Sequence, residues 1–200
     1  MMDAAATPIV FVAGFGRCGT TMMMTMIDRG GFPVAGPPPA YEVREMIPRG
    51  KVDIDWLRSQ AGRAVKWIDP INARISRNSL PCQPIILHMD RDTKEMARSQ
   101  VKMLAWFGEG IIGPRRRAVR AFAKSIARDK PTLTARLNAL GIVYSFTFEW
   151  VLAEPETAAR KLGAIIRAET GCGFDVRAAS AVPKARSPLC APDLSLEMGL

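Results

Sequence analysis

The sequence predicts an α/β fold, a central parallel sheet flanked by helices, and three observations carry that reading. Short apolar runs at Ile9 to Ala13, Pro84 to Met89 and Ile142 to Phe148 have the length of buried strands. Between them lie segments whose apolar residues recur at helical spacing. The first run passes through a glycine-rich turn directly into a segment without a breaker, which gives the order strand, turn, helix. Strands that alternate with helices imply a parallel sheet covered on both faces.

Taken in order, the strand Ile9 to Ala13 leads through Gly14, Gly16 and Gly19 into a Thr- and Met-rich helix stopped by Gly30 and Gly31. Met22, Met23, Met24 and Met26 serve there as core filling. Phe32 to Ala35 reads as a short second strand, and Gly36-Pro37-Pro38-Pro39 as a turn that starts Ala40 to Arg49 on a stiff surface segment. Val52 to Gln60 is a short helix and Ala64 to Ile68 a strand ending at Asp69-Pro70. Beyond the strand PIILHM, Asp92 and Glu95 have the spacing of a capping box, so a helix runs from Thr93 to Phe107. Pro114 to Asp129 and Pro131 to Leu140 are two further helices, the first opened by a proline and the second stopped by Gly141. Ile142 to Phe148 is rich in β-branched and aromatic residues and is the last strand. Pro155 to Thr170 is a helix with a glycine stop, and the tail from about Gly173 is irregular.

Composition narrows the class. Two hundred residues suit one domain, 1–200, with a core large enough to need no disulfides. A hydrophobic fraction of 48% and a charged fraction of 24% are ordinary for a soluble globular protein. No apolar run reaches the roughly 18 residues of a membrane span. Asp3, with no basic stretch, precedes the first apolar run, which therefore reads as a core strand and not a leader. Cys18, Cys82, Cys172 and Cys190 have neither a metal-ligand spacing nor a disulfide framework, so a reducing cytoplasm is the expected setting and no metal is expected. Much of the net charge of +9 lies between Pro114 and Lys130, where Arg115, Arg116, Arg117, Arg120, Lys124, Arg128 and Lys130 face only Asp129. Such a run either steers an anionic partner or forms a solvated helix face. No interleaved aromatics accompany it, and nucleic acid is not an expected partner.

The chemistry concentrates in the first turn. Three glycines let the backbone approach a ligand, and the first amides of the following helix have no intrahelical partner. With the positive end of the helix they form an anion site, to which Arg17, Thr20 and Thr21 add side-chain donors. The spacing Gly14-x-x-x-x-Gly19-Thr20-Thr21 is that of a nucleotide P-loop, except that Thr20 replaces the lysine and the cation has moved to Arg17.

This form, Arg-Cys-Gly-Thr-Thr after a buried strand, resembles the 5′-phosphosulfate loop of sulfotransferases that use 3′-phosphoadenosine 5′-phosphosulfate (PAPS). The resemblance implies a P-loop three-layer fold and a loop site made by Gly16, Arg17, Cys18, Gly19, Thr20 and Thr21. Arg91, at a strand's carboxyl end, and Ser99, two turns into the next helix, both suit a phosphate and resemble the family's 3′-phosphate site. Lys66, shortly before Asp69-Pro70, is similar to the lysine that steadies the transferring sulfuryl group, although Trp67 and Ile68 separate it from the Asp-Pro pair. Glu42, in a segment similar to one of tyrosylprotein sulfotransferases, takes the place of their general base, which an acceptor hydroxyl requires. Glu45, Asp69 and His88 are other candidates for that role, His88 reading best as a core histidine inside its strand. The stretch SFTFEWVLAEPETAARKLGAII resembles a further family segment of architectural role, with Phe148-Glu149 and Glu154-Pro155-Glu156 in the matching places. The glycine-rich motif near the end of cytosolic members is absent.

The expected activity is therefore transfer of a sulfuryl group from PAPS to a small-molecule, carbohydrate or peptide acceptor. A P-loop kinase or nucleotide hydrolase using ATP, magnesium and Asp90 is the alternative, and a non-catalytic nucleotide-binding protein a second one.

Overall fold

The computed structural model describes residues 7–46, 52–71, 75–107 and 114–183. Four parallel strands, β1 (Val10–Gly14), β2 (Ala64–Ile68), β3 (Ile85–Asp90) and β4 (Ile142–Thr147), form one sheet in the order β2-β1-β3-β4. The α/β architecture read from the sequence is thus present, with the sheet flanked by helices. Every residue of β1 is buried, as its unbroken apolar run requires for an interior strand. β4 is an edge strand, and of its six residues only Phe146 is buried. The register sets Val12 opposite Lys66 on one side and Leu87 on the other.

Helices α1 (Thr20–Arg29), α2 (Ile54–Ser59), α3 (Thr93–Trp106) and α6 (Pro155–Thr170) lie where their periodicity puts them. α1 buries Met23, Met24, Met26 and Ile27, while Met22 remains partly exposed. The Phe32–Ala35 strand shrinks to a single bridge, Val34 to Ala64. Pro33 has no amide to donate, and Gly36, with φ of 82°, turns the chain away. Residues 44–46 form a 3₁₀ turn, and 47–49 of the expected surface segment lie outside the described residues.

Three further expectations are corrected. The two helices anticipated around Pro131 are one, α4 (Arg115–Leu140), which continues through the proline. Ile126, Leu133, Leu137 and Leu140 are buried on one stripe that spans both sides of it, and this shared packing outweighs the lost hydrogen bond. The strand read as far as Phe148 ends at Thr147, whose hydroxyl accepts from the Trp150 amide at 3.3 Å and caps α5 (Phe148–Ala153). The irregular tail contains α7 (Val176–Ser180), capped by Asp175 and held to α1 where the Asp175 amide donates to Gly30 at 2.9 Å. Phe174 packs so closely on Gly30 that a β carbon there would lie 2.3 Å from its ring. The Asp92–Glu95 capping box is only half made. Asp92 accepts from the amides of Lys94 and Glu95, but its own amide donates to Glu149 at 3.2 Å.

The basic run lies along α4, where Arg116, Arg117, Arg120, Lys124 and Arg128 are exposed, so most of it is a solvated face. Among the described residues no helix is long and apolar enough to cross a membrane.

Candidate functional site

The carboxyl ends of β1, β2 and β3 open into one cavity of about 620 Å³, the edge at which open parallel sheets receive ligands. Its polar wall is the glycine loop with the start of α1, joined by Glu42, Lys66, Asp69, Arg91, Ser99 and Gln100. Its apolar wall comes from Met103 and Leu104 of α3, Phe107 at its C-cap, Phe122 of α4 and Phe148.

The loop has its shape for local reasons. At Gly14 a β carbon would sit 2.4 Å from the Met89 carbonyl oxygen and 2.5 Å from Cys18 Sγ, so strand and loop close up only around glycine. Gly19, in the left-handed region with φ of 102°, precedes α1 as its N-cap. Its N-cap is a glycine without a side chain and no acidic residue sits in its first turn, so among the described residues no carboxylate there offsets its dipole, while the first amide, that of Thr20, is directed at the buried Cys18 sulfur. Arg17 is also left-handed, with φ of 71°.

Side chains from three other segments tie the loop down. The Gly16 amide donates to Asp69 Oδ1 at 2.9 Å, Gln100 Nε2 donates to the Gly16 carbonyl at 3.4 Å, and Arg91 Nη1 donates to the Arg17 carbonyl at 3.3 Å. Arg17 Nε donates to Ser99 Oγ at 3.0 Å. Residues 82 apart in sequence thereby meet, and the two expected halves of the site, the loop and the Arg91–Ser99 pair, share one cavity.

Lys66 is 4% exposed and uses all three of its donors. Nζ donates to Thr21 Oγ1 and the Ala40 carbonyl, each at 2.8 Å, and to Glu42 Oε1 at 3.0 Å. Side chains alternate along a strand, so Lys66 faces α1 while Trp67 points to the other side, where it packs on Phe11 with ring centroids 5.1 Å apart. Glu42 keeps 60% of its side chain exposed. Its neighbour Tyr41 is buried, left-handed at φ of 54°, and donates its hydroxyl to Asp28 of α1 at 2.8 Å. That anchor fixes Ala40 and Glu42 on either side of it.

Arg91, also 4% exposed, is built into the wall. Its guanidinium lies 4.4 Å over the Phe148 ring, with Glu95 at 3.6 Å and Glu149 at 3.8 Å. Phe148 and Glu149 thus form part of the seat of Arg91. Cys18 is buried against Gly14 and does not line the cavity, and burial pushes its thiol up to about 12. Cys18 meets the site through its backbone and through its sulfur, which takes the Thr20 amide at the start of α1.

Asp69 lines the cavity at the end of β2 with φ of 50°. Its amide donates to the Gly14 carbonyl at 2.9 Å, and burial raises its carboxyl above the usual aspartate range while the Gly16 amide pulls the other way. Glu45 and His88 do not line the cavity. His88 sits within β3 between Ala13 and Ser145, and burial lowers its pKa below the ordinary histidine value. Asp90 pairs with Lys130 at 2.7 Å, and Lys130 also donates to the Arg91 carbonyl at 3.1 Å. Among the described residues no three or more His, Cys, Asp or Glu side chains gather as a metal site.

Sequence reasoning missed Gln100 and the apolar wall. Ser99, Gln100, Met103, Leu104 and Phe107 recur at three- and four-residue spacing on one face of α3, a signal the sequence contains. Phe122 could be found only from the packing of α4 on α3. No family model matches the chain, and no curated protein matches it.

Proposed function

We propose that the chain is a sulfotransferase of the three-layer P-loop type, which moves a sulfuryl group from PAPS to an acceptor hydroxyl or amine. The observation that carries this reading is the meeting, in one cavity, of an uncapped helix start, Arg17, Lys66 and the Arg91–Ser99 pair. The cavity volume of about 620 Å³ falls within the range usual for small-molecule sites.

The residues fit the donor substrate. The backbone of Gly16, Cys18 and Gly19 shapes the loop, and the α1 amides with Arg17, Thr20 and Thr21 hold its 5′-phosphosulfate. Ser99 and Arg91 hold the 3′-phosphate, Ser99 from the position where it already touches Arg17. Arg17 and Lys66 offset charge that grows on the transferring group and the departing phosphate oxygen, an electrostatic task. Lys66 suits it because it is fixed in the sheet and already reaches Thr21 at the start of α1. A proton acceptor completes the chemistry, and among the described residues the cavity offers two carboxylates, Glu42 and Asp69. The free thiols of Cys18, Cys82 and Cys172 support a reducing, cytoplasmic setting.

Calorimetry with adenosine 3′,5′-bisphosphate and with ATP plus magnesium tests the reading. Tighter binding of the bisphosphate is expected. Preference for ATP overturns the proposal in favour of a kinase or nucleotide hydrolase, and binding without any sulfuryl transfer would favour a non-catalytic binding protein.

A further inference from the structure

Resting on the sulfuryl-transfer reading, we propose that Asp69, and not Glu42, is the catalytic carboxylate that takes the proton from the acceptor hydroxyl. The two differ in what protonation would do to their surroundings. Glu42 supplies one of the three acceptors around Lys66 Nζ, at 3.0 Å. A proton on Glu42 would remove the counter-charge of an ammonium only 4% exposed. Losing the one carboxylate that, among the described residues, is paired with this ammonium makes that step less favourable.

Asp69 is placed the other way. Among the described residues its carboxylate accepts one hydrogen bond, from the Gly16 amide to Oδ1 at 2.9 Å, and no basic side chain lies within ion-pair distance. A proton arriving on Oδ2 neutralises a half-buried charge and strands nothing. Burial already favours the protonated form of this carboxyl, which suits a base. The backbone also takes up a sparsely populated conformation at this residue, φ of 50°, and that conformation sets the carboxylate between the end of β2 and the glycine loop, on the wall of the cavity.

In the step the acceptor oxygen bonds to sulfur while its O–H bond breaks. The proton goes to Asp69 Oδ2, the bond from sulfur to the 5′-phosphate oxygen breaks, and that oxygen leaves with the electron pair on adenosine 3′,5′-bisphosphate. No other reactant is needed.

Asp69→Asn keeps an oxygen for the Gly16 amide and nearly the same volume, but it cannot take a proton. Calorimetry should find adenosine 3′,5′-bisphosphate bound to this variant within about twofold of the parent, while kcat with PAPS and a weakly acidic phenol falls about 100-fold or more. The loss should shrink steadily along a series of increasingly acidic phenols, since those arrive already ionised and need no base. Glu42→Gln should instead lower transfer evenly across the series. A readout independent of turnover is the Asp69 carboxyl-carbon NMR signal, assigned by its absence in Asp69→Asn. It should move when a weakly acidic phenol is added to the protein saturated with adenosine 3′,5′-bisphosphate.

A loss in Asp69→Asn that ignores phenol acidity, weakened bisphosphate binding, an unmoved carboxyl signal, or acidity dependence in Glu42→Gln would each overturn the assignment and leave Asp69 as a brace for the loop. A parent protein that binds no adenosine 3′,5′-bisphosphate would overturn the sulfuryl-transfer reading itself, and this assignment with it.

Discussion

Gly19→Ala isolates the backbone on which the proposed anion site depends. Gly19 has φ of 102°, and an L side chain held in that region costs about 1–3 kcal/mol. The added methyl would also lie 2.6 Å from Phe148 Cδ2 and 3.2 Å from Met89 Cε. Phe148 cannot simply swing aside, because the Arg91 guanidinium rests 4.4 Å from its ring centroid. Overpacking of this kind adds about 1–3 kcal/mol, for a total of about 2–6 against the 5–15 or so typical of a whole domain. Gly31→Ala is an internal control, since Gly31 has φ of 85° but nothing within 4 Å of its notional β carbon. It should bear the backbone cost alone. Urea unfolding followed by circular dichroism should show Gly19→Ala less stable than Gly31→Ala by about 1–3 kcal/mol, or roughly 2–12 °C in melting temperature. Equal destabilisation of the two variants would refute the claim that loop, Phe148 and Arg91 are packed as one unit.

Three other outcomes follow from the same geometry. Lys66→Met should lower stability by about 1–3 kcal/mol, chiefly through the Ala40 carbonyl, since Thr21 and Glu42 can turn to water. It should weaken adenosine 3′,5′-bisphosphate binding about 10- to 100-fold through the loss of one cation beside the 5′-phosphate, and calorimetry showing unchanged affinity would remove Lys66 from the site. The Cys18 thiol, buried and pushed up to about 12, should resist iodoacetamide at pH 8 in the folded protein while half-buried Cys82 and Cys172 react, as peptide mass spectrometry would report. Asp69 has a raised carboxyl, so the folded state binds its proton more tightly than the unfolded chain. Its contribution to stability is greatest at or below the ordinary aspartate range and is lost as pH rises through the raised value. Asp69→Asn should remove that slope in urea titrations run across the acidic range, and a parallel pH dependence in parent and variant would contradict it.

Much of the fold was legible because buried strands and amphipathic helices announce themselves locally. PIILHM and the alternation of segments around it carried the parallel sheet, and the three glycines carried the loop. Pro131 misled because a local rule against proline competes with a stripe that only tertiary packing reveals, from Ile126 to Leu140. α7 was hidden by its five residues, too few for a period, although Asp175 is a cap signal. In the site, Arg17, Lys66, Arg91 and Ser99 were named from sequence, but their mutual engagement was not. Arg17 meets Ser99 and Lys66 meets Glu42 only because β1 lies between β2 and β3, an order the chain does not state locally. The same holds for Tyr41 and Asp28, which share no local pattern.

The loop's departure from a nucleotide P-loop now has a physical counterpart. Thr20 stands where a lysine would travel with the loop, and a lysine reaches the same helix start from β2, with Nζ 2.8 Å from Thr21 Oγ1. A cation borne by the sheet cannot follow a ligand. The parallel register with Val12 fixes its base, and Glu42 already engages its tip. Among the described residues the cavity wall therefore sets three cations, Arg17, Lys66 and Arg91, beside two carboxylates, Glu42 and Asp69, with Arg91 faced from behind by Glu95 and Glu149. On the proposed reading this near balance suits a transferring sulfuryl group with a single negative charge. A terminal phosphoryl with nearly two charges would meet stronger repulsion from the same carboxylates. On that reading charge balance, more than glycine spacing, is what would favour sulfuryl transfer over nucleotide hydrolysis. Replacing both carboxylates by their amides should narrow the difference in affinity between PAPS and ATP, since it removes the repulsion that discriminates between their terminal groups.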